Sequence, residues 1–242
     1  RYETAESLGV ADRAIFLHGH ATGSEPAVLH RPSLAQAESM TAAYHGALRN
    51  AGIEAHQLGA MDLYSCFPIA VWCAMDALGV TLDDPRPLTL TGGLSFFGGP
   101  GNNYSTHGIA EMVHWLRARS EPSYGLVGAN GGYLSKHAVG VYANVSSPFP
   151  EPVSEPRPAT PVETIEKPAG PGRIESYTVQ QQGDKTRAIV VGRQLSDERR
   201  WVGVADPEDD ALLGWFRDED PLGAHVTVRA EERNIVRRLA DS

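Results

Sequence analysis

The sequence predicts an α/β layered domain followed by a small antiparallel β-barrel, and three observations lead to that prediction. In the first 147 residues, short apolar runs alternate with segments of helical periodicity, as in an α/β sheet domain. The segment 148–172 holds eight of the 17 prolines, which favour extended chain. After it, short strand-like runs alternate with turn residues. The predicted domains are therefore 1–147 and 173–242, joined by a proline-rich linker at 148–172.

The first domain begins with a predicted strand and a long amphipathic helix. The run "RAIFLHGHA" predicts the strand. The helix is predicted over 33–52, where Ser33 and Gln36 fit an N-terminal capping box and Gly52 fits a C-terminal cap. Apolar side chains recur along this stretch at intervals of three and four residues, which is typical of a helix that buries one face.

Four further strands and two helices complete the predicted α/β domain. "MDLYSCF" predicts a short buried strand, and Pro68 fits the first turn of the helix that follows it. "PLTLTGG" predicts a strand that leads through a glycine-rich loop into a helix near 106–119. "YGLVGAN" and "HAVGVYA" flank a second glycine loop, "GGYLSK". Such loops lie at the ends of strands, where α/β domains place their binding sites.

The second domain is predicted to be a small antiparallel barrel. "RIESYTVQQQ", "TRAIVVGRQ", "RWVGVADPED" and "GAHVTVRAEER" are strand-like, with turn residues between them. Val226 and Val228 alternate with Thr227 and Arg229, which is the period-two pattern of a strand. Four or more short strands within about 70 residues favour a barrel of the oligonucleotide/oligosaccharide-binding type.

Composition and charge set limits on function. The chain has 242 residues, 41% of them apolar and 21% charged, which is an ordinary balance for a globular protein. Its net charge is −9, and 173–242 holds 11 basic and 14 acidic residues, so no nucleic-acid partner is expected. No apolar run is long enough to span a membrane, so no membrane partner is expected. Cys66 and Cys73 form neither a disulfide framework nor a zinc pattern, which favours a cytoplasmic location and predicts no metal site.

Two glycine-rich loops are candidate binding sites. "GGLSFFGGPGNNYSTHG", residues 92–108, precedes a predicted helix and offers backbone N–H groups that suit an oxygen anion or a phosphate. "NGGYLSK", residues 130–136, combines glycines with more polar side chains than a turn requires. The predicted substrate-binding residues are Gly92, Gly93, Asn102, Asn103, Asn130, Gly131, Gly132 and Lys136. A solvated surface lysine is the alternative for Lys136.

Three segments, taken in order, resemble the second half of a thiolase. They are "MDLYSCFPIAVWCAMDALG", "GGLSFFGGPGNNYSTHGIAEM" and "GLVGANGGYLSKHAVGVY". They are most similar to the sterol-carrier-protein thiolase branch and to the type 1 thiolase-like proteins of actinobacteria, whose extra domain the late barrel resembles. The resemblance implies a thiolase-like layered α/β half-domain and acyltransferase activity in lipid metabolism. It also implies a CoA thioester as substrate or ligand, without a bound cofactor.

The chain departs from the thiolase pattern where that pattern carries chemistry. The family's G-H-P motif aligns on Gly98–Pro100, so Gly99 stands in place of histidine. Tyr64 replaces the histidine of the H-D-C-F motif, and no cysteine stands at 128–130. The half that carries a thiolase's nucleophilic cysteine is absent. We therefore expect a first-half thiolase domain as a partner, either on a longer form of this chain or on a second chain.

Tyr64, His107 and His137 are the predicted catalytic residues. Tyr64 would donate to a thioester carbonyl, although a core tyrosine with a bonded hydroxyl fits its position equally well. His107 lies at a loop–helix junction, where a helix N-terminus favours neutral imidazole; a loop histidine bonded to the backbone is the alternative. His137 follows the second glycine loop and precedes a buried strand, which is also compatible with a structural role. Cys66 and Cys73 are expected to be structural residues among apolar neighbours.

These observations lead to two functional hypotheses of different classes. The first is an acyl-CoA enzyme of the thiolase acyltransferase family, acting through a rebuilt catalytic set. The alternative is a pseudoenzyme that binds acyl-CoA or a partner protein without turning the thioester over. A nucleic-acid module in the barrel is a third hypothesis, which the acidic charge disfavours.

Overall fold

A computed structural model describes residues 2–151, 160–183 and 185–239. Part of the predicted linker, residues 152–159, lies outside the described residues. No helix in the described part of the chain combines the length and the apolar character that crossing a membrane requires.

The chain divides into two compact units. The first comprises Arg1–Glu25 and Ala35–Pro158, and the second comprises Pro26–Leu34 and Ala159–Ser242. The short segment Pro26–Leu34 thus belongs to the second unit although it lies early in the sequence.

The first unit is built on a four-stranded mixed sheet. In sequence order its strands are β1 (Phe16–Ser24), β2 (Leu58–Asp62), β3 (Tyr124–Gly131) and β4 (Lys136–Ala143). Their order in the sheet is β1-β4-β3-β2, with β2 and β3 parallel and the other pairs antiparallel. The carboxyl ends of the parallel strands β2 and β3 therefore lie at the same end of the sheet, which we call its carboxyl edge.

Helices cover both faces of this sheet. The unit contains α1 (Tyr2–Ser7), α2 (Glu38–Ala51), α3 (Pro68–Leu78), α4 (Leu94–Phe97) and α5 (Tyr104–Arg117). The core that includes α2 and α3 contains Met61, Leu126 and Val141 from the strands. The core under α5 contains the adjacent strand residues Ala60, Val127 and Tyr142. Because successive strand residues point to opposite faces, α2 and α3 lie on one face and α5 on the other.

Several predicted elements of the first unit are corrected by the structure. The long helix begins at Glu38, so Ser33 and Gln36 form no capping box at its start, although Gly52 is its left-handed C-terminal cap as predicted. The strand predicted over "MDLYSCF" ends at Asp62. "PLTLTGG" is not a regular strand; it forms a single bridge, between Thr89 and Asp62, together with backbone hydrogen bonds to Met61 and Leu63.

The second unit is a closed five-stranded barrel, as the sequence predicts. Its strands are β5 (Ala169–Gln182), β6 (Lys185–Gln194), β7 (Arg200–Ala205), β8 (His225–Ala230) and β9 (Asn234–Arg238). Their order is β5-β6-β7-β9-β8, and the long β5 pairs with both β6 and β8 to close the barrel. The pairing of β7 with β9 is parallel, which corrects the fully antiparallel prediction.

One helix of the barrel unit was not predicted. α6 (Asp210–Asp218) lies between β7 and β8 and buries Leu212, Leu213 and Phe216 in the barrel core. Asp209 caps it, because its carboxylate accepts a hydrogen bond from the backbone N–H of Leu212 at 2.9 Å.

A buried arginine ties the early segment to the barrel. Arg200 on β7 is 0% exposed and forms a bidentate ion pair with Glu175 on β5, with both N–O distances at 2.7 Å. Its Nη1 donates to the carbonyl oxygens of Leu29 and Arg31 at 2.8 and 2.6 Å. Since all these residues belong to the second unit, the guanidinium fixes the 26–34 segment within that unit.

Candidate functional site

Several predicted site residues of the first unit lie at or just beyond the carboxyl ends of its parallel strands. β2 ends at Asp62, which pairs with Val127, and β3 continues beyond that pair to Gly131. Tyr64 follows β2 by two residues, and His137, near the start of β4, pairs in register with Asn130 on β3. Ligands of open α/β sheets bind beyond this edge of the parallel strands.

A chain of buried hydrogen bonds lies under this edge. Asp62 is 1% exposed, and its Oδ1 accepts from the backbone N–H and the hydroxyl of Thr91 at 3.0 and 2.8 Å. Tyr104, at the start of α5, places its hydroxyl 2.6 Å from Thr91 Oγ1. Since the single Thr91 proton serves the carboxylate, the Tyr104 hydroxyl donates to Thr91. The network fixes the first turn of α5 against the end of β2.

Burial raises the pKa of the Asp62 carboxyl, and the nearby charge of Glu111 adds to the rise, while the hydrogen bonds from Thr91 and Leu90 oppose it. The native state therefore holds this proton to a higher pH than the unfolded chain. Between the ordinary carboxyl pKa and the raised pKa of Asp62, the free energy of unfolding therefore falls as pH rises.

The Asp62→Asn variant tests that linkage. Asparagine keeps an oxygen that can accept from Thr91 but does not ionise, so the variant should gain stability relative to wild type as pH rises from 4 to 7.5. The difference in unfolding free energy between the variant and wild type should therefore be larger at pH 7.5 than at pH 4. Urea unfolding of both proteins at the two pH values measures it. A difference that stays constant with pH would contradict the assignment.

The first glycine loop turns sharply at Gly92 and Gly93. Both have a positive φ, 83° and 89°, which only glycine adopts readily. The backbone N–H of Gly93 donates to Thr91 Oγ1 at 3.2 Å, and that of Leu94 donates to Ser65 Oγ at 3.0 Å. The bond from Leu94 to Ser65 joins the loop to the chain just beyond β2. The N–H group of Gly93 already donates within the protein, to Thr91 Oγ1.

Tyr64 and His107 both contact the ring of Tyr104. The Tyr64 and Tyr104 centroids are 5.7 Å apart in an edge-on arrangement, and the His107 and Tyr104 centroids are 6.5 Å apart. The ring centroids of Phe97 and His107 are 5.3 Å apart. His107 lies in the second turn of α5, and its Nδ1 is buried without a hydrogen-bond partner among the described residues.

The half-buried Tyr64 is not a strand residue, because β2 ends before it. Burial raises the pKa of its hydroxyl, and Cys66 and Tyr104 add to the rise. The group therefore stays protonated at neutral pH and can donate a hydrogen bond.

Asn130 and His137 form a hydrogen-bonded pair where β3 and β4 meet. His137 is 4% exposed, and its Nδ1 lies 2.9 Å from Asn130 Oδ1. With Nδ1 donating to that oxygen, the neutral ring carries its lone pair on Nε2. Asn130 Nδ2 is then left buried without a partner among the described residues.

The other predicted binding residues have varied surroundings. Asn102 and Asn103 are exposed on a 3₁₀ turn before α5, and Asn103 Oδ1 accepts from the Thr106 hydroxyl at 2.8 Å. Gly132 has a φ of 60° in the β3–β4 turn, which follows Gly131 at the end of β3. Lys136 is exposed at the first position of β4.

The prediction that both cysteines lie among apolar core residues is wrong for Cys66 and confirmed for Cys73. Cys66 is exposed, because the segment 64–67 lies outside any strand, whereas Cys73 on α3 is partly exposed and packs against the core of the first unit. Burial, and next the charge of Asp76, raises the pKa of the Cys73 thiol, so it is a poor nucleophile. The described residues contain no group of three or more His, Cys, Asp or Glu side chains that could hold a metal ion.

Tyr44 explains why no larger side chain stands at position 128. Its ring is fully buried on α2, and its hydroxyl lies where a Cβ on Gly128 would have to be. The hydroxyl has no hydrogen-bond partner among the described residues, and burial, followed by the charge of Asp62, raises its pKa. A cysteine at this point of β3 would collide with Tyr44.

Gly99, by contrast, has room for a side chain. It is exposed, its φ is outside the left-handed region, and an added Cβ would meet only Leu94 Cδ2, at 3.8 Å. We expect Gly99→Ala to change the unfolding free energy by less than about 0.5 kcal/mol. Gly98→Ala, at a φ of 99°, should cost roughly 1–2 kcal/mol. Urea unfolding of the two variants compares them, and equal costs would contradict this account of the loop.

Sequence reasoning missed the buried polar residues Asp62, Thr91 and Tyr104. The available signal was an aspartate inside the apolar run "MDLY", since a charged residue in a buried strand needs a partner. Thr91 and Tyr104 carried no such signal, because their bonds join residues far apart in the sequence.

Comparison with known proteins gives two informative matches. Residues 148–233 match the family model described as thiolase-like protein type 1 additional C-terminal domain. The crystal structure of a monomeric SCP2-thiolase like protein type 1 from Mycobacterium smegmatis is 40% identical, with a TM-score of 0.86 over 97% of this chain and 53% of that chain. This chain thus spans about half the length of that relative.

A more distant match is the peroxisomal 3-ketoacyl-CoA thiolase of Saccharomyces cerevisiae. It is 16% identical, with a TM-score of 0.40 over 51% of this chain and 32% of its own. No curated protein sequence matches.

Proposed function

We propose that this chain, which belongs to the thiolase superfamily and carries the additional C-terminal domain of type 1 thiolase-like proteins, binds an acyl-CoA thioester at the carboxyl edge of its sheet. The observation that carries the proposal is that two separate nitrogens, His107 Nδ1 on α5 and Asn130 Nδ2 on β3, are each buried without a partner among the described residues. An unpaired buried polar group costs roughly 1–3 kcal/mol, which a bound polar ligand offsets.

The donors at this edge suit a thioester carbonyl. In this proposal Asn130 Nδ2 and the neutral Tyr64 hydroxyl donate to the thioester oxygen, where charge develops if the α-carbon loses a proton. His137 is the proposed base, held in place by the contact of its Nδ1 with Asn130 Oδ1 at 2.9 Å. His107 contacts the acyl group or its second oxygen through Nδ1.

The proposed reaction class is acyl transfer at a CoA thioester in lipid metabolism, which the resemblance to the superfamily supports. In the direction of cleavage, the thiol of free CoA would give its proton to His137 and attack the 3-keto carbon of acetoacetyl-CoA. The bond between C2 and C3 would then break, and the acetyl-CoA enolate would take the proton back from His137. Gly99, Tyr64 and Gly128 replace groups that thiolases use. The rebuilt set of Tyr64, His107 and His137 therefore carries the proposed catalysis.

Calorimetric titration with acetoacetyl-CoA tests the binding site. His107→Ala should weaken binding roughly tenfold, which corresponds to one hydrogen bond to a buried group. His114→Ala is the matched control, because His114 lies two turns later on the same helix and is exposed. Equal affinities for wild type and both variants, or no binding by wild type, would contradict the proposal.

A pseudoenzyme that binds acyl-CoA without turnover is the second candidate. The observation that favours it is the loss of the family's histidine at Gly99, in a loop with room for that side chain. Mass spectrometry of acetoacetyl-CoA incubated with the protein and free CoA separates the two functions. If wild type forms acetyl-CoA and His137→Ala does not, the result supports the enzyme. Binding of acetoacetyl-CoA without formation of acetyl-CoA supports the pseudoenzyme.

A first-half thiolase domain is the proposed protein partner. Phe67, Ile69 and Trp72 at the start of α3 are 70, 50 and 51% exposed, and Phe96 on α4 is 85% exposed. Apolar groups exposed together mark interaction surfaces, and this chain spans only about half of its 40% identical relative.

Size-exclusion chromatography with the separately expressed first half of that relative tests the partnership. Wild type should form a one-to-one complex that Trp72→Glu prevents. Leu222→Glu is the control, because Leu222 is equally exposed but belongs to the barrel unit. No complex with wild type, or loss of the complex in both variants, would contradict this partner.

A further inference from the structure

The outer surface of the barrel contains a cavity that the acyl-CoA proposal does not use. Its volume is about 350 Å³, within the range of small-molecule sites. All its lining residues belong to the second unit: Gln180, Lys185, Thr186, Arg187, Val204, Ala205, Pro207, Arg233 and Ile235.

The floor of this cavity is apolar and lies outside the barrel core. Val204 on β7 pairs in register with Ile235 on β9. Their strand neighbours Ala205 and Val236 are buried in the core, so Val204 and Ile235 point outward and are half-buried. Two adjacent branched side chains on the outside of a barrel make a flat apolar surface that suits a ring.

The rim of the cavity is cationic. Lys185 and Arg187 are exposed and alternate on β6, so they share its outer face, and Arg233 reaches the cavity from the β8–β9 turn. None of the three has an ion pair among the described residues, and no acidic residue among those described lines the cavity. This grouping occurs in a chain whose net charge is −9.

Acidic residues that neighbour the cavity in sequence do not line it, including the exposed Glu232, which precedes Arg233 in the β8–β9 turn. Asp206, at the end of β7, bonds Arg237 at 2.7 Å, and Glu231, in the β8–β9 turn, lies 3.8 Å from the same arginine. The three rim cations are therefore available to an anion from solvent.

We infer that this cavity is a second binding site of the protein, for a small organic phosphate that joins a ring to a charged group, as a mononucleotide does. The ring lies on Val204 and Ile235, and the phosphate lies among Lys185, Arg187 and Arg233. A long nucleic acid fits less well, because its further phosphates would face a unit with more acidic than basic residues.

Calorimetric titration of the full chain with uridine 5′-diphosphate tests the inference. The dissociation constant should be below about 1 mM, and uridine or inorganic phosphate alone should bind at least roughly tenfold more weakly, because each meets only the floor or only the rim. Lys185→Gln, Arg187→Gln and Arg233→Gln should each weaken binding about fivefold.

Lys167→Gln is the matched control, because Lys167 is an exposed cation of the same unit that does not line the cavity. It should leave the affinity for uridine 5′-diphosphate unchanged. His107→Ala should also leave it unchanged, which separates this site from the acyl-CoA site. Because all the rim positions are exposed, the variants should keep the thermal midpoint of wild type.

Three results would overturn the inference. The first is no binding of uridine 5′-diphosphate at several times the expected dissociation constant. The second is equal weakening by Lys167→Gln and the rim variants. The third is a steeply salt-dependent affinity for a twelve-nucleotide oligothymidylate that exceeds the affinity for the mononucleotide, which would assign the cavity to nucleic acid.

Discussion

Replacing Arg200 with alanine is expected to destabilise the barrel unit by roughly 3–5 kcal/mol, the usual cost of removing one partner of a buried ion pair. The guanidinium is 0% exposed and satisfies both carboxylate oxygens of Glu175. It also donates to the carbonyl oxygens of Leu29 and Arg31. Alanine would leave the two carbonyl oxygens and Glu175 Oε2 without this donor, although Arg193 still bonds Glu175 Oε1 at 3.1 Å. A loss of this size is a large part of a domain's stability.

Urea unfolding, followed by circular dichroism, measures the Arg200→Ala effect. Arg199→Ala is the matched control, because the side chain of the neighbouring arginine is 39% exposed and its ion pair within the described part of the chain is with Asp197. This variant should unfold close to wild type. Replacing Glu175 together with Arg200, as Glu175→Leu with Arg200→Met, should recover much of the loss. If Arg200→Ala unfolds like Arg199→Ala, the arginine does not hold the early segment in place.

Acid should weaken the same ion pair. Burial by itself raises the pKa of Glu175, but hydrogen bonds from Arg200 and Arg193, together with their charges, outweigh it and lower the pKa below the ordinary value. The pair therefore contributes stability that is fully present above the ordinary carboxyl pKa and is lost as pH falls through the lowered one.

Gly108→Ala is expected to destabilise the first unit by about 2 kcal/mol, although alanine is the better helix former by about 1 kcal/mol. An added Cβ would collide with Asp62 Oδ2 and would lie 3.3 Å from Val127 Cγ1. α5 cannot move away freely, because the hydroxyl of Tyr104, one turn earlier, is bonded to Thr91.

Gly214→Ala provides the control for helix propensity. Gly214 lies in the middle of α6, and its added Cβ would meet nothing closer than 3.9 Å, so this variant should be more stable than wild type. Chemical unfolding of both variants gives the comparison. When Asp62 is also replaced with alanine, Gly108→Ala should lower the unfolding free energy much less, because the collision with Asp62 Oδ2 is removed. A stabilising Gly108→Ala would show that α5 does not pack closely on Asp62.

Local patterns in the sequence predicted most of the fold. Gly52 ends α2 and Pro68 begins α3 as predicted, because caps and first turns depend on single residue types. The start of α2 was wrong, since the 26–34 segment leaves the first unit before that helix begins. The position of this segment in the second unit depends on its bonds to Arg200, which is more than 160 residues away in sequence. No local sequence pattern predicts such a contact.

The candidate site was predictable only in part. Glycines and polar residues in two loops predict a site at the carboxyl ends of the strands, and this stays a prediction. The resemblance to type 1 thiolase-like proteins is confirmed by the matches of the barrel and of the whole chain. The Asp62–Thr91–Tyr104 network was missed because it joins a strand, a loop and a helix by side-chain bonds. α6 was missed because its apolar spacing lies within a region of short strands.

Histidine side-chain resonances, followed by long-range ¹H–¹⁵N spectroscopy during titration with acetoacetyl-CoA, test the central claim most directly. The chain has nine histidines. If the sheet edge is one acyl-CoA site, His107 and His137 should shift together and saturate with a single dissociation constant. The exposed His56 and His225 should not move. Unchanged signals from His107 and His137, or equal shifts of all four, would contradict the assignment of this edge as the thioester site.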